Sequence, residues 1–151
     1  MPRGLIVPLL FALTSLALAQ KDDLAELQHK ADTSGGAACA HFSLLYAQQL
    51  VEASDKLYTD GNVDEAVKLV HRAGDYAERG TECALLVHRR QKDTEIDLRE
   101  MARRLGDIER SLTSDDRPPL EQEIARADKL RDKLLDQMFG GKNGQHPRPT
   151  K

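Results

Sequence analysis

The fold is decided by the stretch from residue 60 to residue 112, which reads DGNVDEAVKLVHRAGDYAERGTECALLVHRRQKDTEIDLREMARRLGDIERSL. Along it, small or apolar residues recur at alternating spacings of three and four, which is the period of one face of an α-helix. These positions are Val63, Ala66, Val70, Ala73, Ala77, Gly80, Ala84, Val87, Gln91, Thr94, Leu98, Met101, Leu105, Ile108 and Leu112. The unbroken register predicts one long helix over residues 63–112.

The middle of this stretch leaves a second interpretation open. Residues 88–95 contain no large apolar residue. A helix of this length is also far longer than the average helix of a globular domain. The alternative is therefore a four-helix bundle with a break near residues 91–94.

A turn before the long helix predicts an antiparallel hairpin. Gly61, within Asp60-Gly61-Asn62, can adopt the left-handed conformation that ends many helices. The residues before it carry two apolar stripes at helical spacing and predict a helix over 37–59. A shorter amphipathic helix is expected over residues 22–31.

A second turn, at Pro118-Pro119, predicts another hairpin at the far end of the long helix. Proline is tolerated in the first turn of a helix but not in its interior. A last helix is expected over residues 118–139, ended by Gly140-Gly141. We therefore predict a single all-α domain over residues 20–139, in which antiparallel helical hairpins share a long central helix.

The two ends of the chain are expected to lie outside this domain. Residues 1–19 have the form of a signal peptide, with Arg3, an apolar run and the small-x-small site Ala17-Leu18-Ala19. No later segment is apolar enough to span a bilayer, so no stable membrane insertion is expected after cleavage. Residues 140–151 contain basic but no acidic residues and are expected to form a disordered tail.

Composition excludes several classes of function. The net charge of -3 argues against a nucleic-acid binder, which normally carries a basic excess. With 4% aromatic residues and no Trp, a deep apolar ligand pocket is not expected. No catalytic motif and no phosphate-binding loop occurs, so we expect a protein that is not an enzyme and has no cofactor.

The two cysteines, Cys39 and Cys83, lie at nearly equal distances from the Gly61 turn. In an antiparallel hairpin they reach the same level. Export to an oxidising compartment would allow them to form a disulfide. A metal site using His41, His71 or His88 is the rival interpretation. The helical spacing counts against it, because these side chains do not converge with the cysteines on one point.

The wide apolar face of the first hairpin predicts an interaction surface. One partner helix covers only one of its two stripes. The expected surface consists of Leu44, Val51, Tyr58, Leu69 and Tyr76. Exposed apolar patches usually mark a partner, and a second copy about a two-fold axis is the commonest. We therefore expect a homodimer or another protein partner at this surface.

The residues Leu50, Ala53, Ser54, Leu57, Gly61, Val63, Ala66, Val70 and Ala73 resemble a tetratricopeptide repeat. The resemblance covers about residues 50–78 and one hairpin. Glu78 occupies the position where the repeat usually has proline, and no second copy follows. The resemblance implies a helical interaction module.

Taken together, the sequence favours an exported, non-catalytic helical protein, periplasmic or secreted, that serves as an interaction or assembly module. The alternative is a small-ligand or metal-binding helical bundle.

Overall fold

The computed structural model describes residues 12–140, with side chains from residue 23 onward. The described chain is all-α, as predicted, and contains no strand. Its five helices are α1 (Ala12–Thr33), α2 (Gly36–Thr59), α3 (Val63–Val87), α4 (Gln91–Ser111) and α5 (Pro118–Phe139). None of the described helices is both long enough and apolar enough to cross a bilayer.

Two helices have bounds at or within one residue of the expected ones. α2 begins one residue before the predicted start and α5 has the predicted bounds. α1 is longer than the predicted helix 22–31, because the preceding residues are mostly alanine and leucine, which favour helix. Most of the predicted signal peptide and all but Gly140 of the predicted basic tail lie outside the described residues.

The prediction of one continuous helix over residues 63–112 is wrong. The chain leaves the helix at Val87 and starts a new one at Gln91, close to the alternative break near residues 91–94. His88 and Arg90 both have positive φ, 52° and 60°. This turn folds the second half of the chain back on the first, and a four-helix bundle results.

Contacts between helices define the arrangement of the bundle. α2 and α3 form one antiparallel hairpin, and α4 and α5 form the second. Arg131 of α5 donates to Glu95 of α4 at 2.8 Å, near the end where Gln91 meets Gln137. α5 packs on α3 and α4 on α2, while α1 packs on the outside of α2.

The core changes character from one hairpin to the other. α3 contributes small residues, among them Ala73, Ala77 and Gly80, which allow α2 to approach closely. A Cβ placed on Gly80 would lie 3.1 Å from the carbonyl oxygen of Ala40. The second hairpin fills the interior with larger side chains, namely Leu98, Met101, Leu105, Ile108, Leu120, Leu130 and Leu134.

Candidate functional site

Cys39 and Cys83 form the predicted disulfide. Their Cα atoms are 6.0 Å apart, within the range that a disulfide requires. The bond joins the first turns of α2 to the last turns of α3, at the end of the hairpin opposite Gly61. It is compatible with an oxidising compartment and leaves no free thiol in the chain.

The predicted interaction surface is not on the outside of the molecule. Leu44, Val51 and Tyr58 are buried, and Leu69 and Tyr76 are partly buried against the core. The prediction that they are free to bind a partner is wrong, because other helices of the same chain cover this face. Val51, for example, lies beside Met101 of α4.

The polar end of Tyr76 contacts α1 instead of a second molecule. Its hydroxyl donates to Asp32 Oδ1 at 2.6 Å, and its ring packs edge-on against the ring of Tyr46. Arg79 donates to the carbonyl oxygens of Ala31 and Asp32. Burial, together with the hydrogen bond to Asp32, raises the pKa of Tyr76. α1 is thus attached to the first hairpin and covers part of its apolar face.

A charged cluster joins α3 to α5. The side chain of Glu123 is 2% exposed, and its Oε1 lies 2.9 Å from His71 Nδ1. Its other oxygen lies 3.4 Å from Arg126, which also donates to Asp75 at 3.0 Å and to Glu78. Burial alone would lower the pKa of Arg126, but hydrogen bonds to Glu78 and Asp75 outweigh it and raise that pKa.

A glycine in α3 makes room for the buried carboxylate. A Cβ on Gly74 would lie 1.8 Å from Glu123 Oε2, so any other residue would displace this oxygen. The sequence did not reveal this cluster, because the neighbouring apolar Ile124 fits the inward pattern of α5, whereas the buried position is taken by the charged Glu123. The only available signal was Gly74 itself, a glycine inside a helix where alanine would be favoured.

The three histidines of the rival metal-site interpretation lie apart. His71 contacts Glu123, His41 packs beside the ring of Phe42, and His88 is in the turn between α3 and α4. Across residues 23–140, no group of three or more His, Cys, Asp or Glu side chains could hold a metal ion. The described residues thus offer no site for that interpretation.

Two open clefts flank α2. One, of about 390 Å³, lies between α2 and α4 and is lined by His41, Gln48 and Asp97 among others. Burial raises the pKa of Asp97, and a hydrogen bond from Gln48 partly opposes this shift. The other, of about 320 Å³, lies between α1 and α2 and is floored by Leu24, Leu27 and Leu45, among others. Neither is enclosed, so neither resembles a pocket that surrounds a small ligand.

The end of the bundle at the α3–α4 turn combines apolar and basic side chains. Leu86 is 80% exposed and Phe139 is 61% exposed, the highest values among large apolar residues of the described chain. The two helix ends are adjacent, since Gln137 donates to the carbonyl oxygen of Leu85. The exposed turn contributes His88, Arg89, Arg90 and Lys92. We call the surface formed by Leu86, His88, Arg89, Arg90, Lys92 and Phe139 the basic end.

The α3–α4 turn of the basic end has few acidic neighbours in sequence. Asp93 is the first acidic residue after Glu82, and it lies 3.5 Å from Arg90. The sequence after Gly140 contains Lys142, Arg148 and Lys151 and no acidic residue. Exposed arginine next to exposed apolar groups is typical of surfaces that bind other proteins.

Comparison with known proteins gives no relative for this chain. No family model, no curated protein and no solved structure matches it. The resemblance of residues 50–78 to a tetratricopeptide repeat is therefore limited to the spacing of small and apolar residues in one hairpin.

Proposed function

We propose that the chain is an exported, non-catalytic interaction module, and that its contact surface is the basic end. The observation that supports this most strongly is the exposure of Leu86 and Phe139 at one end of the bundle. A soluble protein loses stabilisation by leaving two such side chains in water, and exposed apolar patches usually mark a binding site.

The charge of the surface defines the chemistry of the partner. Arg89 and Lys92 are exposed, and neither forms an ion pair within the described chain. A complementary protein surface would present acidic side chains around an apolar centre, which Leu86 and Phe139 would enter. The apolar contacts would supply affinity, whereas the basic residues would speed association and fix orientation.

Two features support export. Residues 1–19 have the pattern of a signal peptide, and the disulfide between Cys39 and Cys83 is of a kind that persists in oxidising compartments. The test is expression in a host with an active secretory pathway, followed by intact-mass measurement of the exported chain. Processing after Ala19 with the disulfide formed gives the mass of residues 20–151 less two hydrogens. Retention of the full-length chain in the cell would contradict the proposal.

The contact surface is tested by capture and cross-linking in the extracytoplasmic fraction, with the bound proteins identified by mass spectrometry. The double variant Leu86→Ser with Phe139→Ser should lose a specific partner that the wild type captures. Arg89→Glu with Lys92→Glu should weaken capture, and the wild-type complex should weaken as salt is raised, because exposed charges are screened.

A matched control reverses two charges at the other end of the first hairpin. Lys56 and Lys68 are exposed, in the last turn of α2 and near the start of α3. The variant Lys56→Glu with Lys68→Glu should capture the same partner as the wild type. Equal capture by the control and by both variants of the basic end would refute the proposed surface.

A further inference from the structure

The connection between α3 and α4 differs from the other connections of the described chain. It has three residues, and it contains neither glycine nor proline. Of the other three connections, one contains Gly35, one contains Gly61, and the third is followed at once by Pro118, the first residue of α5. Here the left-handed conformations fall on His88 and Arg90. Side chains with a Cβ adopt this conformation at a cost that glycine does not have.

The sequence around this connection favours a helix without a break. Between Gly80 and Gly106 there is no glycine and no proline. The inward positions keep their spacing across the turn, through Ala84, Val87, Gln91 and then Thr94. With residues 88–90 helical, α3 and α4 would form one helix from Val63 to Ser111, about 74 Å long at 1.5 Å per residue.

Residues 88–90 are the only covalent link between the two hairpins. The disulfide lies within the first hairpin, between α2 and α3, and does not tie it to the second. The second hairpin has its own polar contacts, such as Arg131 with Glu95. The surfaces that meet between the hairpins, including the contact of Glu123 with His71, are also presented by a second copy of the chain.

We propose that residues 88–90 are a hinge at which the chain opens, and that two copies exchange their α4–α5 hairpins to form a swapped dimer. In this dimer α3 and α4 are one continuous helix. Each α4–α5 hairpin packs on the α2–α3 hairpin of the other copy, with the same contacts as in the closed chain. The inference does not depend on the proposed function.

The balance between the two states depends on the hinge and on protein concentration, since the buried surfaces are the same. The closed chain is favoured at low concentration, because its two hairpins are held together by a short connection. The dimer relieves the left-handed conformations of His88 and Arg90 in both copies. The dimer also brings the basic residues 88–92 of both copies near the two-fold axis, so it is best measured at about 0.5 M salt, where their repulsion is screened.

The first experiment changes only the hinge of the full-length chain. Each protein is unfolded, refolded at about 1 mM and separated by size-exclusion chromatography with light scattering, because swapped states need opening and high concentration. His88→Gly with Arg90→Gly should lower the dimer-to-monomer ratio roughly tenfold or more, since glycine removes the left-handed cost and disfavours helix. His88→Ala with Arg90→Ala should raise the ratio several-fold, since alanine favours helix.

A control variant separates the hinge effect from loss of charge. Arg89 lies between the two left-handed residues and is not among the residues with positive φ. Arg89→Gly with wild-type His88 and Arg90 should therefore lower the ratio less than the double glycine variant. Equal ratios for the wild type, the alanine pair and the glycine pair would overturn the hinge. So would the absence of any dimer from the alanine pair at about 1 mM.

The second experiment measures the helix itself. Spin labels replace Lys68 and Arg104, which are exposed, and the labelled chain is diluted with unlabelled chain before refolding. The two cysteines of the native disulfide do not react with the label. In the swapped dimer the two sites are 36 residues apart on one helix, or about 54 Å. In the closed chain they lie side by side, within about 25 Å. A dimer with only the short distance would overturn the exchange.

Discussion

Replacing Gly80 with alanine tests the close approach of α2 to α3. The added Cβ would lie 2.0 Å from Leu44 Cδ2, 3.1 Å from the carbonyl oxygen of Ala40 and 3.2 Å from Ser43 Cβ. Leu44 is fully buried, and the carbonyl oxygen cannot move without the helix. The disulfide at Cys39 also restrains this part of α2. The strain therefore cannot be relieved by moving one flexible side chain.

The size of the effect follows from two opposing contributions. Overpacking a dense core by one methyl group typically costs about 1–3 kcal/mol. Alanine in place of glycine inside a helix contributes about 1 kcal/mol in the other direction. Because Gly80 meets both a buried side chain and a backbone atom, we expect the upper part of the range. Gly80→Ala should thus lower the free energy of unfolding by about 1–2 kcal/mol.

Gly106 supplies the matched control. It lies in α4, and a Cβ there would meet only Arg110 Nη1, at 3.6 Å. Gly106→Ala should therefore raise the free energy of unfolding by about 0.5–1 kcal/mol. Urea denaturation followed by circular dichroism, with the disulfide intact, measures both values. If Gly80→Ala stabilises the protein as much as Gly106→Ala, the close packing of α2 on α3 is refuted.

Three further changes test other parts of the structure. Cys39→Ala with Cys83→Ala should lower the free energy of unfolding, measured by urea denaturation, by about 4 kcal/mol, because the bond joins cysteines 44 residues apart and restricts the unfolded chain. Reductant should destabilise only the wild type. Glu123→Ala should lower the free energy of unfolding by about 2 kcal/mol, because it opens a cavity and removes the carboxylate contacts between α3 and α5. An unchanged midpoint of urea denaturation would contradict the burial of Glu123. Asp97→Asn should stabilise the protein at pH 7, because burial raises the pKa of Asp97 and so disfavours its charged form. That gain should shrink as the pH falls through the raised pKa, where the wild-type carboxyl also becomes neutral, and a gain independent of pH would show another cause.

Local sequence patterns were sufficient to determine most helices and the disulfide. The hairpin about Gly61 follows from a residue that tolerates positive φ, here 78°, between two amphipathic segments. The start of α5 follows from Pro118 and Pro119, which fit a first helical turn. The pairing of Cys39 with Cys83 follows from their nearly equal distance from the turn, since such residues lie at the same level of an antiparallel hairpin.

Only the tertiary structure determined the turn at residues 88–90 and what it covers. No residue there breaks a helix, so local preference favours continuity, and the packing of α4 on α2 and of α5 on α3 outweighs that preference. The same folding back brought Glu123 against Gly74, and α1 covered Tyr76 of the predicted dimer surface. A periodic pattern specifies which face of a helix is apolar, but not which helix will cover it, because hydrophobic burial is not directional.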